Sequence, residues 1–281
     1  AGRRDLDDPG TIDSVADQVV DITTLELLSA LSEADAEATG DAASSPWRRT
    51  LLGELVERVR RRLEGQPHRL PTDSADQAHL LDRAGGRLLL VGEDRSLQVV
   101  APDRPGLLSA IAGVLNLNGL AVVTATLGAA RDGMVVDTFR VEPVFSRPPD
   151  WSAVERDLSR TLAGELPLGD RLQEKAHAYR PRGPTAARPA VTDVMFDNDL
   201  SAQATVIEVR APDAVGLLYR ITSVLSELGL DIGHATVSTV GHQAVDGFYV
   251  VDASGAKLTD PERLEEVEAA IRAELSRTAT S

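Results

Sequence analysis

The chain has 281 residues, 42% of them hydrophobic, with 44 acidic against 29 basic side chains and a net charge of −15. That apolar content suffices for two or three domains with their own cores, while the negative balance repels phosphate backbones and anionic lipid, which sets nucleic acid and membrane surfaces aside as partners. With no cysteine, and with His68, His79, His177, His234 and His242 in neither HxxxH nor HExxH spacing, disulfides, thiolate chemistry and a histidine-rich metal centre are excluded too.

No apolar run approaches the ~18–20 residues that span a bilayer and no signal-like segment opens the chain, so a soluble cytoplasmic protein is expected. The first residues, "AGRRDLDDPG", lack a methionine and are expected to begin partway through a longer protein. Residues 1–65 read as helical. In "TTLELLSALSEADAEAT", Leu28, Leu31 and Asp35 fall at i, i+3 and i+7, a stripe of two leucines and a carboxylate. "SSPW" then offers Ser45 as an N-cap and Pro46 at the first helical position. Trp47, Leu51, Leu52, Leu55, Val56, Val59 and Leu63 keep helical spacing from there.

Residues 66–86, rich in proline and polar side chains, read as a linker, and so do residues 181–190, which include "PRGPTAARP". The stretches set off by these breaks, 87–180 and 191–281, repeat one another. Between Val99–Thr126 and Val209–Thr236, 14 of 28 positions are identical at a constant offset of 110. After a one-residue deletion the match resumes, "VDTFRV" at Val136 facing "VDGFYV" at Val245.

Each copy spells the same order. A short strand (97–101 or 205–211) enters a Pro-Asp turn. A helix follows, because Leu107, Leu108, Ile111, Val114 and Leu115 fall at 0, 1, 4, 7 and 8, as do Leu217, Leu218, Ile221, Val224 and Leu225. Gly119 and Gly229 end the two helices as left-handed residues. Two strands come next, joined in the first copy by Asp132-Gly133, a strong hairpin signal, and helices over 151–162 and 261–276 close the units. An apolar strand, "RLLLV" at Arg87 or "VTDVMF" at Val191, precedes each copy and is expected to fill the sheet position that a βαββαβ domain normally gives to its last strand.

The βαββαβ order with "APDRPGLL" and "APDAVGLL" linking strand to helix resembles the ACT domain, a small-molecule sensor. The resemblance implies an α+β chain of two tandem ferredoxin-like domains preceded by a short all-α segment, paired side by side with an amino acid at the interface. The two repeats, the "DGMVVDTF" hairpin and the upstream "DLDDPGTIDSVADQVVD", "LELLSALSEADAEATG" and "SPWRRTLLGELV" together resemble the bifunctional PII uridylyltransferase/uridylyl-removing enzymes. In that family a nucleotidyltransferase domain and an HD phosphohydrolase domain precede a glutamine-sensing ACT pair. The resemblance implies that residues 1–65 are the end of an HD domain, that PII and glutamine are partners, and that Mg2+ or another divalent ion serves catalytic domains outside this stretch. It also places Asp35 where HD domains carry a last metal-ligating aspartate; the other role open to it is to cap a neighbouring helix. The chain has no His-Asp dipeptide and no Gly-Ser pair followed by paired aspartates, so it holds no complete active site and no cofactor of its own.

A free amino acid presents a carboxylate and an ammonium. A helix N-terminus has unpaired amides for the first, and Asp103 and Asp213 are acceptors for the second, or else simply N-caps. Gly106 and Gly216 lack a β-carbon and let a ligand approach the backbone of Leu107, Leu108, Leu217 and Leu218. Asp231 starts the second strand of copy two where copy one has Ala121, so Asp213, Gly216 and Asp231 mark the second copy as the better-equipped half-site. His234 faces the ligand or is a satisfied core residue; Asp137 and Asp246 read as strand-to-loop acceptors. A stand-alone tandem ACT module without an enzyme is the competing reading, and it leaves the upstream helices without a purpose.

Overall fold

A computed structural model describes residues 15–16, 18–19, 21–39, 53, 55–56, 59–60, 63, 74–128, 130–144, 147–178, 192–240 and 243–277. The expected cap at Ser45-Pro46, the residues Trp47, Leu51 and Leu52, and the break at 181–190 lie outside them.

In the helical segment, α1 spans Ile22–Thr39, opened by Asp21, whose Oδ1 accepts from the Thr24 amide at 2.7 Å. Ala16, Val19, Leu25 and Val59 are buried together, with Val15, Leu55, Val56 and Leu63 packed around them, and Arg60 pairs with Glu26 at 3.0 Å. The Leu28 and Leu31 stripe does not turn inward: Leu28 is 47% and Leu31 64% exposed, beside Leu27 at 67%. The local core is met by the neighbouring face, through Leu25, with Ile22 and Ser29 half-buried on either side of it. Asp35 lies in α1, and its side chain falls outside the described residues.

The first copy runs α2 (Ser74–Ala84), β1 (Leu89–Glu93), β2 (Ser96–Pro102), α3 (Leu107–Leu117), β3 (Leu120–Thr126), β4 (Met134–Pro143), α4 (Trp151–Leu162) and α5 (Leu168–Ala178). The second runs β5 (Asp193–Asp197), β6 (Thr205–Pro212), α6 (Leu217–Glu227), β7 (Asp231–Val240), β8 (Gln243–Val251) and α7 (Pro261–Ser276). Two helices stand where the sequence predicts none: α2, inside the 66–86 stretch that reads as a linker, and α5. Leu80 and Ala84 of α2 bury Val100 and Val136, which point away from the main core. Strands alternate their side chains, so that face of the sheet needs a cover, and α2 supplies it. In copy two Val206, Val245 and Tyr249 on the same face are covered by Leu200 and Ala204 instead.

The eight strands form one antiparallel sheet in the order β1-β2-β4-β3-β7-β8-β6-β5. Each leading strand, β1 or β5, pairs with the strand after it at the outer end, as expected of a substitute for the missing final strand. The turn between β3 and β4 has Asp132 at φ 50° and Gly133 at φ 74°, two consecutive left-handed residues of the kind that match strand twist in a tight hairpin. Gly119 (φ 74°) and Gly229 (φ 70°) terminate α3 and α6. Asp150 and Asp260 cap α4 and α7, accepting from the amides of Ala153 and Glu262. On the main-core side the fully buried Phe139 and Phe248 sit under the helices with Leu97, Ile111, Leu115, Ile207, Ile221 and Leu225.

The halves meet at β3 and β7, where Thr124, Ala125 and Thr126 pair with Thr236, Ala235 and His234. Helices α3 and α6 lie across the same seam; a β-carbon on Gly113 of α3 would stand 2.9 Å from the Tyr219 ring.

Candidate functional site

The cleft of greatest chemical interest, about 530 Å3, opens between the two copies. Copy one contributes the turn Asp103–Ser109 with Leu127, Gly128, Val135 and Asp137. Copy two contributes Thr222 and Ser226 of α6 and the segment Gly229–Gly233 that leads into β7.

The turn is set by backbone chemistry. Gly106 sits at φ 79°, ψ 6° as the residue before α3, a conformation that costs an L-residue strain. The Leu107 amide donates to the Arg104 carbonyl at 3.2 Å and the Ala110 amide to the Gly106 carbonyl at 2.9 Å. Between them, Leu108 and Ser109 carry the unpaired amides of a first helical turn, at the positive end of the α3 dipole. The Ser109 hydroxyl is engaged on the Gly106 carbonyl, 2.8 Å away. Neither α3 nor α6 has a side-chain cap, so Asp103 and Asp213 do not serve as N-caps. Asp103 is exposed, its own amide held by the Gly133 carbonyl at 2.9 Å.

Three carboxylates converge here. Asp137 is buried in β4 and accepts from the Gly128 amide at 3.2 Å, which bears out its reading as a strand-to-loop acceptor. It also lines the cleft, a role the sequence did not suggest. Burial pushes its carboxyl up to about 7; the Gly128 amide opposes the rise, and Asp103 and Asp231 add to it. Arg104 reaches away, its guanidinium donating to the Leu162 carbonyl at 3.0 Å. Of the charged groups lining the cleft, the acids therefore dominate.

The nine residues singled out from sequence divide into two groups. Asp103, Gly106, Leu107, Leu108 and Asp231 come together in the cleft. Asp213, Gly216, Leu217 and Leu218 do not: they lie on the far side of the seam, where Gly216 is buried and a β-carbon on it would meet Leu172 of α5 at 3.6 Å. The set Asp213, Gly216 and Asp231, expected to mark a half-site in copy two, is thus divided: Gly216 borders a separate cavity, and Asp231 borders the turn of copy one, because the antiparallel seam carries the start of β7 to the N-terminus of α3. His234 is a core residue, 7% exposed, with Thr236 Oγ1 at 3.2 Å from Nε2, Thr126 Oγ1 at 3.5 Å from Nδ1, and the Tyr249 ring edge-on at 5.5 Å. Asp246 is not a strand-to-loop acceptor: its Oδ1 is buried without a hydrogen-bond partner among the described residues.

Among the described residues no group of three His, Asp or Glu side chains is placed to hold a metal ion, and no helix is long and apolar enough to cross a membrane.

The ACT domain family matches residues 205–275. Bifunctional uridylyltransferase/uridylyl-removing enzymes match nearly the whole chain. That of Streptomyces coelicolor is 36% identical over 93% of this chain and 37% of its own length. The Gluconobacter oxydans enzyme is 32% identical over 97% and 34%, and that of Mycobacterium tuberculosis H37Rv 35% identical over 89% and 33%. An aspartate kinase structure from Synechocystis covers 64% of this chain and 27% of its own at 15% identity and a TM-score of 0.30, too distant to bear on function. The chain thus spans about a third of the length of the curated relatives it matches, and over that span it belongs to the bifunctional uridylyltransferase/uridylyl-removing enzyme family.

Proposed function

We propose that the chain is the glutamine-sensing regulatory region of an enzyme that adds uridylyl groups to the PII signal protein and removes them, in the cytoplasm, as part of nitrogen regulation. The observation that carries this reading is the cleft between the copies, where the amides of Leu108 and Ser109 stand opposite Asp231, with Asp103 and Asp137 beside them. A zwitterion fits that polarity: carboxylate on the helix N-terminus, ammonium among the acids. The excess of carboxylates argues for an amide side chain and against glutamate, whose second negative charge would meet Asp103, Asp137 and Asp231. Ser226, half-buried on α6, supplies a hydroxyl to a polar side chain.

Because both copies build the cleft, a bound ligand ties their relative placement to its own presence, and catalytic domains attached upstream would respond if they favour one placement. The shift is limited by the ligand's differential affinity for the two states. Residues 1–65 are read as the end of an HD domain, with Asp35 as its last metal-ligating residue, and Mg2+ or another divalent ion is assigned to the catalytic domains of the longer enzyme. Relatives matching 93% and 97% of the chain favour this reading over a stand-alone ACT module, since so long a match must take in upstream helices as well.

Isothermal titration with glutamine, glutamate and serine tests it. Saturable heat with glutamine, at least tenfold weaker for glutamate, is expected; no heat with any amino acid would end the proposal.

A further inference from the structure

The seam relates the two copies by an approximate two-fold axis, so the open cleft has a counterpart. Subtracting the repeat offset of 110 turns Thr222, Ser226 and Asp231 into Ala112, Asn116 and Ala121, and adding it turns Asp103–Ser109 into Asp213–Tyr219. Asp137 becomes Asp246 across the one-residue deletion. At this second position α5 lies over the turn.

Leu168, Leu172 and Lys175 share one face of α5, at i, i+4 and i+7. Leu172 covers Gly216, and Leu168 packs against Gly113 of α3, its Cδ2 only 2.7 Å from where a Gly113 β-carbon would stand. The Lys175 ammonium donates to the Asn116 carbonyl and borders Gly119 and Leu120, counterparts of the cleft residues Gly229 and Leu230. The covering is incomplete, for a cavity of about 500 Å3 remains between α5 and α6.

A second observation is independent of the helix. Of the three buried side-chain oxygens without a partner among the described residues, two are Asn116 Oδ1 and Asp246 Oδ1. Their counterparts, Ser226 and Asp137, line the open cleft. Buried polar atoms are seldom left unpaired, and these two stand at positions equivalent to residues lining the open cleft, whereas the third, Thr138 Oγ1, does not.

We propose that α5 is an internal plug on a second α-amino-acid site formed by the Asp213–Tyr219 turn, Asn116 and Asp246, its leucine face and the Lys175 ammonium standing in the ligand's place. The chain then carries one open site and one that its own helix must vacate. This rests on the reading of the open cleft as an amino-acid site.

The test is glutamine titration of the 281-residue chain beside a Leu168→Ser/Leu172→Ser variant that weakens the docking of α5. The wild type is expected to bind one equivalent tightly and a second only at millimolar glutamine, and the variant two tightly, the second abolished by adding Gly216→Val and retained on adding Gly106→Val. Hydrogen exchange over residues 168–178 serves if the double variant does not fold: millimolar glutamine should accelerate exchange there in the wild type. One equivalent in a folded variant with α5 released, or unchanged protection of α5 at saturation, overturns the plug while leaving the open site intact. A wild type that binds no glutamine removes both.

Discussion

Ala125 pairs with Ala235, its own counterpart 110 residues further along, and both are buried to 1% or less. An antiparallel pairing of equivalent positions puts the pseudo-two-fold axis between these two residues. The geometry of the cleft follows: whatever lies on one side of Ala125 faces the opposite end of the other copy. Asp231, near the start of β7, therefore meets the turn before α3 and not the turn of its own domain.

Gly106→Val and Gly216→Val impose the same backbone strain, at φ 79° and 74°, worth about 1–3 kcal/mol of stability each. They should differ in binding. Gly106→Val is expected to abolish glutamine heat, since it puts a branched side chain beside the open amides. Gly216→Val, under α5, should leave the affinity of the open cleft within about twofold. Titration calorimetry with thermal melts of both variants separates the effects; equal loss of binding would contradict the assignment of the open site to copy one.

Asp231→Ala removes one charge-assisted partner proposed for the ligand's ammonium. A contact of about 1.5–3 kcal/mol corresponds to a roughly 10- to 150-fold rise in Kd. Ala121→Asp, its counterpart across the axis, should not restore affinity in the Asp231→Ala background, because residue 121 faces the covered turn. Recovery of binding in the double variant would mean that the two sites are not separated as described.

In the proposed site the ligand's ammonium prefers an ionised Asp137, and burial holds that carboxyl at about 7. The groups facing it are Asp103, Asp231 and the Gly128 amide. Between pH 6 and pH 8 the ionised fraction rises about tenfold, so glutamine affinity should climb by up to that factor, and Asp137→Asn should flatten the profile. An unaltered slope in the variant would place the titrating group elsewhere.

Asp246 sets the opposite trend for stability. Burial, aided by Asp213, pushes its carboxyl from an ordinary 3.8 up to about 8. Between those values the unfolded chain has lost the proton and the folded chain keeps it, so stability contributed below pH 4 drains away as pH rises to about 8. Asp246→Asn cannot ionise. Its Tm should match the wild type near pH 4 and exceed it by several degrees at pH 9; a constant difference across that range would refute the buried ionisation.

Much of this architecture is legible in the amino-acid order. The leucine spacing, Gly119, Gly229 and Asp132-Gly133 act through local backbone chemistry, and the boundaries of α4 and α7 follow from their capping aspartates. What stayed hidden depends on distant surfaces. Segment 74–84 looks like a linker because only Leu80 and Ala84 are deeply buried, and their partners Val100 and Val136 are strand residues on the sheet face away from the main core. In α5 the apolar face is sparse, and it packs chiefly on α3 of its own copy, reaching the other copy through Leu172 at Gly216. The site shows the same limit. Both turns carry the same Asp, Gly, Leu, Leu pattern, so residue identity could not tell which is covered, and the stripe of Leu28 and Leu31 looked like core for want of any sign of which side faces Val59.

Joining the halves through a single sheet has an evolutionary consequence. When two identical subunits associate, every substitution appears on both sides of the axis, and the paired sites must change together. Once the lobes are tethered in one polypeptide, association is kept by high effective concentration, and each side is free to drift. An aspartate at 231 where the other copy has an alanine at 121 illustrates that freedom: equivalent positions on the two sides of the axis now differ in charge.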